Sequence, residues 1–164
     1  MSVVAVKVNK NNIEIASDSI IVRGYSKRTD RNFHKLVKIN DIIVGAVGDA
    51  EEASLFINFC ELHNIKEPNE TSILNFMVEF MAWKTGISEH YSLDNEYIIV
   101  YGGKVFSVNN LLVEEITNYE AIGAGEDFAT AALYLGHSAK EAVKVACDLC
   151  CWVAEPIIDY VIKR

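Results

Sequence analysis

The sequence predicts an α+β fold of four layers, two β-sheets packed face to face with a pair of helices on each outer side. Three observations carry this reading. The elements come in blocks, read as strands, two helices, strands, two helices and a last strand. Each helix pair is apolar on one face only and needs a sheet to cover. The opening residues also read as a core strand, with Val4, Val6 and Val8 on one face and Lys7 on the other. A three-layer α+β fold is the competing arrangement. At 164 residues, the chain reads as a single domain spanning 1–164, with no linker-like tract and no internal repeat.

The first strand is expected to begin at the first residue, with no leader before it, and to end near Val8. Asn9 to Asn12 is a polar turn, and Ile13 to Ala16 returns as a second strand ending at Ser17, Asp18 and Ser19. Ile20 to Val22 extends it, and the charged stretch Arg23 to Arg31 reads as loop. Phe33 to Ile39 and Ile42 to Val47 form a hairpin about Asn40-Asp41. Its second arm is nearly all apolar, which predicts a central strand. Gly48 breaks that strand. Asp49 opens a helix, with Glu52 completing a capping box and Leu55, Phe59 and Leu62 forming the apolar stripe.

Thr71 or Ser72 is expected to cap a second helix, with Ile73, Phe76, Met77, Phe80 and Met81 at helical spacing and Gly86 at its end. Tyr97 to Tyr101 and Lys104 to Val108 flank Gly102-Gly103, a strong hairpin signal. Asn109-Asn110 turns into Leu111 to Ile116. Ala121-Ile122 leads into Gly123-Ala124-Gly125 and a third helix, with Glu126 and Asp127 in its first turn and Gly136 at its end. Ser138 and Glu141 make a capping box for a fourth helix that Pro156 stops, and Ile157 to Ile162 is the last strand.

A formal net charge of −8 opposes a nucleic-acid partner. No apolar run is long enough to span a bilayer, and no signal segment is visible. The expectation is a soluble, cytoplasmic protein. Cys60, Cys147, Cys150 and Cys151 lack a disulfide-like framework and would be reduced there. Cys147 and Cys150 make a C-x-x-C, and Cys60 and His63 a C-x-x-H, the ligand count of a zinc site. In the four-layer arrangement the two pairs lie on opposite faces, so they read as core packing. No metal and no cofactor are expected. His34, His90 and His137 show no partner spacing.

Ser2 carries the chemistry. Its small side chain makes Met1 a target for removal, after which Ser2 holds both a free amine and a hydroxyl. That pair is the minimal apparatus of an N-terminal nucleophile.

Several stretches, taken together, are familiar. The opening strand, Ile15-Ala16-Ser17-Asp18, His34-Lys35-Leu36-Val37-Lys38-Ile39, Gly45-Ala46-Val47-Gly48-Asp49-Ala50 and Ala121-Ile122-Gly123-Ala124-Gly125 resemble the proteasome β-subunit family of N-terminal nucleophile hydrolases. Within it, the likeness is closest to the peptidase component of the bacterial two-component ATP-dependent protease. Each motif is weak alone, and five in order are specific. The resemblance covers nearly the whole chain. It implies the four-layer sandwich, a homo-oligomeric ring or stacked rings, and a self-compartmentalising peptidase acting on peptides or unfolded proteins. An ATPase unfoldase is the further partner that it leaves open.

By the same resemblance, Asp18 matches the family's aspartate, Lys35 its lysine, and Gly48 the glycine whose N–H helps hold the oxyanion. Phe33, Val37, Ala46 and Ala50 would line an apolar specificity pocket. Counted without a gap from Asp18, Ser2 falls on the nucleophile. Matching Val4 to Lys7 on the family's first strand puts Met1 there instead and makes the protein inert. There are two departures: the family nucleophile is threonine, and the family has serine where Ala124 stands. The alternative to a peptidase is therefore an inactive, self-assembling structural homologue. Met1 and Ala124 favour it, and the Asp18–Lys35 pair opposes it.

Overall fold

The computed structural model describes residues 2–23, 26–28, 34–87 and 92–164. Met1, Phe33 and His90 lie outside the described residues. The strands are β1 (Val4–Val8), β2 (Asn12–Asp18), β3 (Ile21–Arg23), β4 (Ser26–Arg28), β5 (Leu36–Ile39) and β6 (Ile42–Val47). Helices α1 (Ala50–Leu62) and α2 (Glu70–Thr85) follow, then β7 (Glu96–Tyr101), β8 (Lys104–Asn109), β9 (Leu112–Ile116) and β10 (Tyr119–Ile122). The chain closes with α3 (Glu126–Tyr134), α4 (Ala139–Leu149) and β11 (Ile157–Lys163).

The strands build two main antiparallel sheets, ordered β10-β1-β2-β11 and β5-β6-β7-β8-β9. Three apolar clusters separate four layers. Phe56, Phe59, Phe76 and Phe80 of α1 and α2 cover one face of the five-stranded sheet. Ala129, Leu133, Ala142, Val143 and Ala146 of α3 and α4 cover the four-stranded sheet. Val4, Val6, Ile13, Ile15, Ile98 and Val105 fill the space between the sheets. This is the α-β-β-α order that the amphipathic pattern predicts, and the three-layer alternative is excluded.

The two sheets come closest where β1 crosses β6. A Cβ on Gly45 would lie 2.6 Å from Val4 Cγ1, so glycine lets the N-terminal strand lie directly on the hairpin that carries Lys35. On the other outer face, Phe56 meets Phe80 edge-on with ring centroids 4.9 Å apart, and truncating such a buried ring costs about 3–5 kcal/mol.

Several local expectations are corrected. The stretch expected as loop after Val22 contains a short ribbon, β3 paired with β4. The stripe of α1 is turned from the one expected: Phe56 is buried, whereas Leu62 is 65% exposed. Helix α2 is capped by Asn69, whose side chain accepts from the Ser72 N–H, rather than by Thr71 or Ser72. Helix α4 ends at Leu149 with Cys150 as its cap, ahead of Pro156. Its Ser138–Glu141 capping box forms as expected. No helix among the described residues is long and apolar enough to cross a membrane.

Candidate active site

Ser2 is buried just before β1. Pairing of Val4 with Ile122 on β10 and with Ser17 on β2 holds the strand from both sides. The Gly123-Ala124-Gly125 turn then closes over the Ser2 backbone. The Gly125 N–H donates to the Ser2 carbonyl at 3.3 Å. A Cβ on Gly123 would stand 2.5 Å from that oxygen, and Gly123 has φ +95°, so only glycine fits there. Ser2 is therefore fixed in place although it precedes the strand.

Asp18, at the end of β2, is fully buried. Its Oδ1 accepts from the Val3 N–H at 2.9 Å, and its Oδ2 from Lys35 Nζ at 2.8 Å. One carboxylate thus ties the amide next to Ser2 to the Lys35 ammonium. Lys35 precedes β5, and its carbonyl accepts from the Ala46 N–H at 2.8 Å. Burial pushes the Lys35 amine below its ordinary value of 10.5, against the opposing pull of Asp18.

Cys147 on α4 feels the Asp18 charge. Burial, and then Asp18, push its thiol up to about 12, so it stays protonated and is a poor competing nucleophile. Cys60 packs in the α1–α2 cluster and Cys150 in the α3–α4 cluster, which separates the two halves of the zinc-like pattern. The Cys150 thiol donates to the Ala124 carbonyl at 3.4 Å. Ser17 and Ser19 flank Asp18 with buried hydroxyls that have no partner among the described residues.

Gly48 follows β6 with φ +127°, a conformation open to glycine and strained for other residues. Val37 is half-buried on β5, Ala46 is buried on β6, and Ala50 is exposed at the start of α1. Ser2, Asp18 and Lys35 are brought together, while Gly48 and the apolar positions Val37, Ala46 and Ala50 lie along the β5–β6–α1 side.

Sequence reasoning misses a second buried polar centre. Glu52 does not reach back to complete a capping box: Asp49 accepts from the Glu51 and Glu52 N–H groups, and the Glu52 carboxylate turns inward. Its Oε1 accepts from Tyr97 Oη at 2.9 Å and the Asn95 N–H at 3.1 Å, and its Oε2 from Lys84 Nζ and the Asp94 N–H. Burial and then Glu52 push the Tyr97 phenol far above its ordinary range, so it remains a neutral donor. The only sequence signal for Glu52 was its helix N3 position, which pointed to capping.

Known structures share this fold. BPH from Thiobacillus denitrificans, solved in complex with epoxomicin, matches with a TM-score of 0.89 at 17% identity over 98% of each chain. A second structure of BPH from the same organism gives 0.88 at 18% identity, over 98% of this chain and 97% of that one. Eukaryotic HslV from Trypanosoma brucei gives 0.71 at 19% identity over 99% of each chain. No protein-family model and no curated protein sequence matches the chain. At these identities the likeness is one of fold, and that fold is the proteasome-type sandwich implied by the resemblance in sequence.

Proposed function

We propose that this chain is a proteasome-like peptidase subunit in which Ser2, freed of Met1, attacks peptide bonds as an N-terminal nucleophile. The observation that carries this reading is the Asp18 carboxylate, joined on one oxygen to Lys35 and on the other to the amide next to Ser2. A buried ion pair joined to that amide is a functional-site candidate, since a hydrophobic pair of similar volume is often at least as stabilising.

In the reaction, the Ser2 hydroxyl adds to the substrate carbonyl and passes its proton to its own α-amine, the base. An α-amine has an ordinary pKa of about 7.7–8.0, and a neighbouring Lys35 cation keeps it neutral more of the time. The tetrahedral oxyanion is held by the Gly48 N–H. The C–N bond then breaks, the departing amine takes the proton from the α-ammonium, and an ester remains on Ser2 Oγ. Water hydrolyses the ester with the same amine as base. Val37, Ala46 and Ala50 form the apolar wall for the substrate side chain; the expected fourth residue, Phe33, lies outside the described residues. Asp18 keeps Lys35 oriented and acts through it.

The chain works as a closed ring, with peptides or unfolded proteins as substrates in a cytoplasmic setting. Exposed Phe128, Tyr134 and Leu135 on and after α3 offer apolar area for subunit contacts. Sedimentation as a monomer at micromolar concentration would count against the ring.

The test is to prepare chains starting at Met1 and at Ser2, confirm each by mass, and assay both. The Ser2 form should cleave short peptides and be labelled at Ser2 by an electrophilic peptide, and Ser2→Ala should lose both signals without unfolding. The Met1 form should be silent, because an amide nitrogen then stands behind the hydroxyl and cannot act as a base. If the Ser2 form neither cleaves nor labels, the inactive structural homologue becomes the better reading, which Ala124 favours by placing a methyl where the family has a hydroxyl.

A further inference from the structure

We infer that Asn95 is a positioning residue that sets the Gly48 oxyanion donor, clamping the Gly48–Asp49 turn from the lead-in to β7, the strand next to β6; this rests on the peptidase reading above. Asn95 precedes β7 and is only 2% exposed. Its side chain grips the Asp49 backbone at both polar groups. Oδ1 accepts from the Asp49 N–H, and Nδ2 donates to the Asp49 carbonyl at 2.8 Å. The same side chain fills the space over Gly48, where a Cβ would stand 2.1 Å from Asn95 Oδ1. Asn95 thus fixes the peptide planes on either side of Asp49 and requires glycine at position 48, whose φ is +127°.

The clamp is itself anchored. The Asn95 and Asp94 N–H groups donate to the two oxygens of Glu52, each at 3.1 Å. Glu52 also accepts from Tyr97 and Lys84, and Lys84 Nζ reaches the Ser92 carbonyl at 2.6 Å. Glu52 sits in the first turn of α1, which Asp49 caps. The chain of bonds therefore returns to where it started, from Asp49 to Asn95, to Glu52, and through α1 back to Asp49. A turn closed on itself this way has little freedom. An oxyanion donor needs that property, because its worth lies in not having to reorganise as charge develops.

A plain staple between β7 and α1 would show the same bonds, and kinetics separates the two roles. The experiment uses the assembled, Ser2-terminated protein with a fluorogenic short peptide. Asn95→Ala should lower kcat by about 10–100-fold, the range of a misplaced oxyanion donor, with KM within about twofold. Amide exchange at Gly48 and Asp49 should speed up at least about tenfold, while the β6 amides stay protected. Tyr97→Phe, a milder change should Asn95→Ala fail to fold, should lower kcat about threefold with KM unchanged, the loss of one anchoring hydrogen bond.

Unchanged exchange at Gly48 and Asp49 overturns the clamp. Faster exchange with unchanged kcat, or with an effect confined to KM, overturns its catalytic use and leaves the staple. A wild type that neither cleaves nor labels overturns the peptidase reading itself, and the exchange comparison then still decides whether Asn95 sets the turn.

Discussion

Two lysine–carboxylate pairs are buried among the described residues, and they are built differently. Glu52 is saturated: two backbone amides, a phenol and an ammonium fill its two oxygens. Asp18 takes one bond on each oxygen among the described residues. The first pair knits α1, α2 and the lead-in to β7 into one piece. The second joins the Val3 amide, next to Ser2, with its lysine held below the ordinary value by burial. A saturated ionic network holds shape, whereas a buried pair with a perturbed lysine is a functional-site candidate.

The largest test of this contrast is catalytic. Lys35→Ala should reduce peptide hydrolysis by about 10³-fold, within the range for a group assisting proton transfer, while the assembled protein remains folded. Wild-type rates in this variant would strip Lys35 of its role. Lys84→Ala should act in the opposite way. It leaves Glu52 buried with three donors and should destabilise the fold by about 3 kcal/mol, the lower end for breaking a buried pair, read as a drop in the denaturation midpoint. A Lys84→Ala protein as stable as wild type would make the two pairs alike.

A smaller effect follows from pH. A lysine whose folded pKa lies below its unfolded value binds fewer protons when folded, between those two values. The Lys35 contribution to stability therefore rises with pH across that window and levels off near the ordinary value of 10.5. The Tm difference between wild type and Lys35→Met should shift in favour of wild type as pH rises toward 10.5, and a flat difference would show that burial does not disfavour the cation. The smallest expected effect is that of Ala124→Ser, a gain of about two- to fivefold in kcat from restoring one hydroxyl. No gain would mean that a neighbouring group such as Ser17 or Ser19, whose hydroxyls are buried and without a described partner, already meets the need.

What the sequence shows is what local chemistry decides. Asn40-Asp41, Gly102-Gly103 and the Ser138–Glu141 box mark turns and caps because each is settled within a few residues. The alternation of β1 and the position of Asp18 are legible for the same reason. The Glu52 centre is not, because its partners Lys84 and Asn95 lie 32 and 43 residues away and each has an adequate local explanation. Lys84 reads as a cation in the last turn of a helix, and Asn95 as a loop residue. Lys35 is legible only through the family resemblance, because its partner Asp18 lies 17 residues away on β2.

Strand order has a consequence for how the protein comes into being. The five-stranded sheet pairs neighbours along the chain, β5 through β9, so it can assemble from contiguous sequence. The sheet bearing Ser2 cannot: β1 waits for β10, with Val4 opposite Ile122, and β2 waits for β11, with Asp18 opposite Ile157. Non-local pairings of this kind close late. In a growing chain β1 therefore stays without its β10 partner until most of the sequence has been made. Pulse-labelled exchange during refolding should show protection in β6 to β8 before β1, and simultaneous protection would remove the distinction. On that schedule β1 is made before β10, and pairs fully only once both are present.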